Sequence, residues 1–286
     1  MLRTVWLREK QNIELGTAML LGGFDGLHTG HRKLVSCAQA SGLLVGIMTI
    51  VGGKESQNLF TFSEREEIFK KAGIDFVFEL PFSEIKDLTP EAFLSILEKE
   101  FSPKLFVCGE DFRFGIRASG DPEMLKRSTR VCVEVCSLME IDGDKVSSTR
   151  IKNALKEGEV EKANRLLEEP FFLIGEVENG RKVGRTMGFP TANIRYAENK
   201  FPLKIGVYQT QVEIDGVSYK GITNYGARPT FQDETVLTET YIDGYSGNLY
   251  GKRLCIKFIR FLREVQKFES VETLQNQLKA DIESIR

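Results

Sequence analysis

The feature that most constrains the fold of this chain is a change of hydrophobic rhythm near residue 168. Ahead of it, short apolar runs alternate with helical periodicity. The pattern predicts strands over 18–22, 43–51, 75–80, 104–108 and 131–136, and helices over 31–41, 63–72 and 90–100. Such alternation means βαβ units and a mostly parallel, twisted sheet. Ser63 with Glu66 reads as a capping box, and Thr89 followed by Pro90 as a helix start. Residues 148–167 read as two helices broken near Gly158 and stopped by Pro170. From there on the runs are strand-like: FFLIGEV, VYQTQVEI, VSYKGIT, VLTETYI and RLCIKFIRFL. Asp215-Gly216 between two of them is a hairpin turn signal. Regularly spaced strands joined by turns predict an antiparallel β-barrel. After Ser270, Val271, Leu274, Leu278, Ile282 and Ile285 fall on one face of an amphipathic helix that caps the barrel. At 286 residues the chain has room for about two domains. The rhythm places an α/β domain in 1–168 and a barrel domain in 169–286.

Charge narrows the partners. Lys+Arg is 39 against Asp+Glu 41, a net charge of −2. That lacks the basic excess of a nucleic-acid binder. The first eleven residues mix Arg3, Arg8, Glu9 and Lys10 into a short apolar stretch, so no secretory signal is expected. The longest apolar run, near 43–51, is too short to span a bilayer and contains Gly46. No membrane or nucleic-acid partner is expected, and weak self-association is left open. The five cysteines have no paired spacing, which reads as reduced thiols in the cytoplasm. Cys132 and Cys136 alternate onto one face of VCVEVC and read as buried small hydrophobes rather than metal ligands.

The chain has only two histidines, His28 and His31, and both fall in the string GGFDGLHTGH at 22–31. The string follows a predicted strand and opens a predicted helix. Glycines there let backbone approach a ligand closely, and a helix N-terminus offers unpaired N–H groups to an anion. One turn apart, the two imidazoles can face the same phosphate and stabilise charge without acting as nucleophiles. The plain alternative is a βα turn with two surface histidines. A second anion site is read at 145–150, where Ser147, Ser148 and Thr149 open a helix between Lys145 and Arg150. Its plain alternative is ordinary capping.

A third string, GRKVGRTMGFPTANI at 180–194, is basic and Gly-rich. Gly180, Gly184 and Gly188 interleave with Arg181, Lys182 and Arg185, a composition that folds over phosphates. Pro190 then starts a strand on which Thr191 and Asn193 share a face. Two neutral oxygen ligands beside a triphosphate suit Mg²⁺, which keeps several waters. No GK[ST] follows, so this is not a Walker A loop.

These strings carry a resemblance. GGFDGLHTGH resembles the HxGH signature of nucleotidyltransferases, in particular the adenylyltransferase half of bacterial bifunctional riboflavin kinase/FAD synthetases. VCGEDFRFGIRASG at 107–120 resembles that family's VGxDFRFGxxxxG, LTPEAF at 88–93 its LSPEEF, and KVSSTRIK at 145–152 its RxSSTxIR. GFPTAN at 188–193 matches the riboflavin kinase signature, TETYIDGYSGNLYG resembles its ExHxxDFxGDLYG segment, and ITNYGARPTF its MxNIGxRPTF. The resemblance runs from about Leu20 to the last helix.

It implies a Rossmann-like α/β nucleotidyltransferase domain followed by an antiparallel β-barrel riboflavin kinase domain with a C-terminal helix. It implies that riboflavin, FMN and ATP are substrates and that Mg²⁺ is used. On this resemblance Gly22, Phe24, Asp25, Gly26, His28, His31, Gly109, Asp111, Lys145, Ser148, Thr149 and Arg150 surround ATP for adenylylation. Gly180, Arg181, Gly184, Arg185 and Gly188 hold ATP for phosphorylation, Thr191 and Asn193 the metal, and Asn224 and Arg228 the flavin. Glu239 is the base that takes the proton of the riboflavin 5′-hydroxyl.

Departures mark out the alternatives. Lys145 stands where the family usually has Arg, which keeps the charge and loses the bidentate fork. Val51, Gly52, Gly53 and Lys54 stand where the family has FxPHP. Gly244-Tyr245 replaces Asp-Phe, and Asn248 replaces Asp. The alternatives are a kinase with a weakened first domain and a non-catalytic flavin or nucleotide sensor. A class I aminoacyl-tRNA synthetase shares the HIGH-type turn, but the short chain and the kinase-like barrel argue against it.

Overall fold

The computed structural model describes residues 2–8, 16–53, 57–178, 189–227 and 236–286. By spatial contact the chain divides into two compact units, Met1–Ser148 and Thr149–Arg286. The first holds strands β1 Arg3–Trp6, β2 Thr17–Leu21, β3 Leu44–Val51, β4 Phe76–Pro81, β5 Pro103–Gly109 and β6 Cys132–Cys136. Its helices are α1 Arg32–Ala40, α2 Phe62–Lys71, α3 Phe82–Ile85, α4 Pro90–Phe101 and α5 Pro122–Ser128. A two-stranded hairpin, β7 Glu140–Ile141 and β8 Asp144–Lys145, follows.

The six long strands form one parallel sheet in the order β1-β4-β3-β2-β5-β6. From β2 the chain steps outward through β3 and β4, then returns to the other side of β2 with β5. The order reverses at β2, and open parallel sheets bind ligands outside the C-terminal ends of strands at such a point. One sheet face buries Met19, Met48, Phe78, Leu80 and Phe106 against Phe93, Leu97 and Phe101 of α4. Alternation puts Ala18, Leu20, Ile47 and Val77 on the other face, all fully or nearly fully buried.

Details differ from the sequence reading in places. Helix α2 starts one residue early and is capped two residues earlier, by Thr61, whose backbone N–H donates to Glu64 Oε2 at 2.8 Å. Ser63 and Glu66 are not the capping box. Strand β1, helices α3 and α5 and the β7–β8 hairpin were not anticipated, being short or weakly periodic. Cys136 is buried as expected, but Cys132 is exposed because it lies at the outer start of edge strand β6.

The second unit opens with α6 Ser148–Glu157, whose first residue closes the first unit, and α7 Val160–Leu166, broken at Gly158. Asn164 of α7 donates to Phe258 O and accepts from Phe171 N, both at 2.8 Å. These bonds tie the helix to the barrel strands, although the helical rhythm groups it with the first half. Strands β9 Phe172–Glu176, β10 Thr191–Arg195, β11 Gly206–Ile214, β12 Val217–Ala227, β13 Val236–Ile242 and β14 Arg253–Arg263 run antiparallel in the order β10-β13-β12-β11-β14-β9. Glu178 N–H donates to Asn193 O at 2.8 Å across the remaining gap, nearly closing the barrel. Gly175 sits at that seam, where a Cβ would come within 2.3 Å of Ile194. Asp215 and Gly216 both have positive φ, the geometry of a tight two-residue hairpin. Inside, Thr210, Thr223 and Thr240 link hydroxyl to hydroxyl at 2.9 and 2.8 Å, so the buried oxygens satisfy one another.

Helix α8, Val271–Ile285, is capped by Ser270 and lays Ile282 and Ile285 against Val207 and Ile222. Val271 is exposed rather than part of the buried face. Asp281 is buried instead, where it accepts from Arg263 Nη2 at 2.7 Å and from Arg263 Nε at 3.1 Å.

Candidate active sites

A cavity of about 690 Å³ opens in the first unit at the end of β2. Gly22, Phe24, His28, His31, Gly109, Asp111, Lys145 and Ser148 all line it. The turn after β2 is built tightly. Gly26 has φ +128°, and a Cβ there would come within 2.6 Å of the Phe60 ring. Asp25 and Gly26 shape the turn rather than the cavity wall, and Asp25 Oδ2 accepts from Leu59 N–H at 2.8 Å. Thr149 and Arg150 do not line the cavity.

The two histidines stack, ring centroids 3.5 Å apart and planes 17° apart, with Phe24 tilted onto His31 at 4.6 Å. His28 N–H donates to His31 Nδ1 at 3.4 Å, which puts the proton of a neutral His31 on Nε2. Burial lowers the His28 pKa to about 4, and the nearby Lys145 charge adds to this. Burial also holds His31 well below the usual imidazole range, helped by repulsion from His28 and opposed by a hydrogen bond to the Gly26 backbone. Both rings are therefore neutral at pH 7. The buried Nδ1 of His28 has no hydrogen-bond partner among the described residues. Lys145 forms an ion pair with Asp111 at the cavity wall. A Cβ on Gly109 would crowd Asp111 Oδ1 at 2.9 Å, so glycine there leaves room for that carboxylate.

The second unit has two neighbouring cavities. One, about 620 Å³, is lined by Thr191, Asn193, Thr240, Tyr245, Ser246 and Asn248 among others. The other, about 340 Å³, lies under α8 and is lined by Thr191, Asn224, Glu239, Tyr241, Arg263 and Leu278 among others. Thr191 belongs to both. Register explains the grouping. Asn193 pairs with Glu239 and Glu239 with Asn224, so three polar side chains stand in a row across β10, β13 and β12. Asn193 is buried and Glu239 half-buried. Gly180, Arg181, Gly184, Arg185, Gly188 and Arg228 lie outside the described residues.

Sequence reasoning missed Arg263 and Asp281, since a charged strand residue and a helical Asp 18 positions apart carry no pairing signal. It also missed Phe189, Leu274 and Leu278 as walls of the smaller cavity. The helical face was legible, but not the space beneath it. Among the described residues no cluster of three or more His, Cys, Asp or Glu could hold a metal. Mg²⁺ does not need one. The Thr191 hydroxyl and the Asn193 amide oxygen fit it, as few neutral ligands beside a cavity sized for a nucleotide.

A two-histidine turn at the switch point of a parallel sheet, joined in sequence to a barrel whose two cavities share Thr191 and whose smaller cavity holds a carboxylate, defines an enzyme with two separate phosphate-transfer sites. The comparisons with known proteins make this specific. The FAD synthetase family model matches residues 10–150, and the riboflavin kinase family model matches 167–286. A bifunctional riboflavin kinase/FMN adenylyltransferase from Pseudomonas fluorescens is 33% identical over 288 residues, covering 95% of this chain and 92% of the relative. One from Listeria monocytogenes is 32% identical, covering 96% and 92%. The crystal structure of a protein described as a macrolide-efflux protein from Streptococcus pneumoniae superposes with a TM-score of 0.89 at 30% identity, covering 99% of this chain and 98% of that one. Among the described residues, no helix is long and apolar enough to cross a membrane. The chain belongs to the bifunctional riboflavin kinase/FMN adenylyltransferase family.

Proposed function

We propose that two independent sites divide the work of turning riboflavin into FMN and FMN into FAD, with residues 1–168 adenylylating and 169–286 phosphorylating. The observation that carries the kinase reading is Thr191, shared by the two barrel cavities beside Glu239. The larger cavity takes ATP and the smaller takes riboflavin, so the γ-phosphate meets the 5′-hydroxyl there. Glu239 accepts the hydroxyl proton as the oxygen attacks phosphorus and ADP leaves. Mg²⁺, held by Thr191 and Asn193, supplies charge neutralisation on the phosphate oxygens when bound. By the resemblance of their sequence to the family, Gly180, Arg181, Gly184, Arg185 and Gly188 bind ATP, and Arg228 with Asn224 the flavin.

In the first cavity, an FMN phosphate oxygen attacks the α-phosphate of ATP and pyrophosphate leaves. No protein nucleophile is needed, so positioning and electrostatics do the work. His28, on the cavity wall, faces the phosphates. His31 holds the turn and shares the stack. Lys145 and Ser148, both on the cavity wall, take the β- and γ-phosphates as Asp111 releases Lys145. Gly22, Phe24, Asp25, Gly26 and Gly109 shape the backbone around the nucleotide. We read the enzyme as cytoplasmic, a reading that its five free cysteines support.

Incubating the purified protein with riboflavin, ATP and Mg²⁺ and separating the flavins tests this. Both FMN and FAD are expected. FMN alone would favour the kinase-only reading, which rests on Val51-Gly52-Gly53-Lys54 in place of FxPHP.

A further inference from the structure

The first cavity must hold two anions, the ATP triphosphate and the phosphate of the acceptor flavin. Four cationic side chains line it: Lys86, Arg113, Arg117 and Lys145. Three are already engaged. Lys145 pairs with Asp111, Arg113 Nη1 donates to Phe112 O at 2.9 Å, and Lys86 lies 3.9 Å from Asp87. Arg117 has neither an ion pair nor a side-chain hydrogen bond among the described residues.

The backbone beneath Arg117 is unusual. Arg117 and Ala118 are consecutive non-glycine residues in the left-handed region, at φ 54° and 57°. Side chains disfavour that region, and it persists only where surroundings over-determine it. Here they do. Ile116 N–H donates to Leu88 O at 2.7 Å, and Phe114 and Gly120 exchange backbone bonds at 3.2 and 2.8 Å. Gly115, at φ +72°, sits where a Cβ would meet Pro90 N at 2.8 Å. A Cβ on Gly120 would strike the Phe114 ring at 2.8 Å. The turn is bolted at both ends to the start of α4 and to itself, and the strained residues sit at its tip on the cavity wall.

We propose that Arg117 is a specificity-determining residue of the adenylyltransferase site, its guanidinium receiving the terminal phosphate of the acceptor flavin. A phosphomonoester carries close to two negative charges at pH 7 and accepts the planar fork of arginine well. Riboflavin lacks that group, so the contact selects FMN as acceptor. The inference rests on the adenylyltransferase reading of this cavity.

The test uses the full chain and Arg117→Lys, Arg117→Gln and Arg117→Gly, the last of which also relieves the left-handed strain. FAD formation is measured with FMN and ATP varied separately, beside FMN formation from riboflavin and thermal melting. In the Gln and Gly variants, KM for FMN is expected to rise at least about 10-fold, as loss of a charge-assisted contact requires. KM for ATP and the kinase step are expected to stay unchanged, Lys to restore much of the loss, and Gly to melt no lower than wild type. An unchanged KM for FMN, or a rise confined to ATP, overturns the inference while leaving the adenylyltransferase reading intact. A wild type that makes FMN but no FAD removes that reading and the inference with it.

Discussion

The imidazole rings of His28 and His31 lie face to face at 3.5 Å, and both are held neutral by burial. Neutral rings can stack this closely, whereas two imidazolium ions would repel. In the unfolded chain each histidine titrates near its ordinary pKa of about 6.5. The unfolded state therefore binds more protons than the folded state between that value and about 4. The stability these two rings contribute is expected to be complete above about pH 6.5 and to fall as pH drops toward 4. Thermal melting across that range checks this, and His28→Gln should flatten the slope.

The two reactions should separate by mutation. His31→Ala is expected to cut FAD formation by about 100-fold or more and leave riboflavin phosphorylation unaltered. Glu239→Gln should do the reverse, with a loss of about 100- to 10,000-fold in FMN formation. Equal loss of both activities in either variant would contradict independent sites.

Glu79 gives a stability prediction of opposite sign. It lies on β4 at full burial, paired in register with Thr49, and neither carboxylate oxygen reaches a hydrogen-bond partner among the described residues. Burial raises its pKa, against the opposing charge of Arg65. The folded state thus holds the proton more tightly than the unfolded state. Its contribution is present at low pH and is lost as pH rises beyond the ordinary carboxylate range. Glu79→Gln keeps the shape without the charge and is expected to stabilise the protein at pH 8 by about 1 kcal/mol, with little effect at pH 4. Denaturant melts at the two pH values measure the difference.

The Arg263–Asp281 pair anchors α8 over the smaller barrel cavity. Asp281 is 5% exposed and also accepts from Gln277 Nε2 at 2.9 Å. Removing one partner of a buried pair strands the other charge. Asp281→Ala is expected to cost about 3 kcal/mol and to raise KM for riboflavin more than KM for ATP. Replacing both partners, Arg263→Met with Asp281→Leu, should recover stability but not flavin affinity.

Much of this was legible in the chain. Periodicity located the parallel sheet, the barrel strands and the last helix, because burial on one face leaves a period in the sequence. The strings around His28 and Thr191 pointed to residues that line cavities, since glycine and small polar residues at a strand end have few other uses. Asp215-Gly216 named its turn because only certain residues tolerate positive φ at both central positions.

What only the tertiary structure decided concerns partners far apart in sequence. The stacking and neutrality of His28 and His31 depend on how deeply the turn is buried. The alignment of Asn193, Glu239 and Asn224 depends on strand register, and a slip of one residue would turn Glu239 to the opposite face. The allegiance of α7 to the barrel follows from Asn164, whose two bonds reach 7 and 94 residues away. Local sequence encodes dihedral preference and face. Charge pairing, desolvation and the walls of a cavity belong to residues that meet only after the chain has folded.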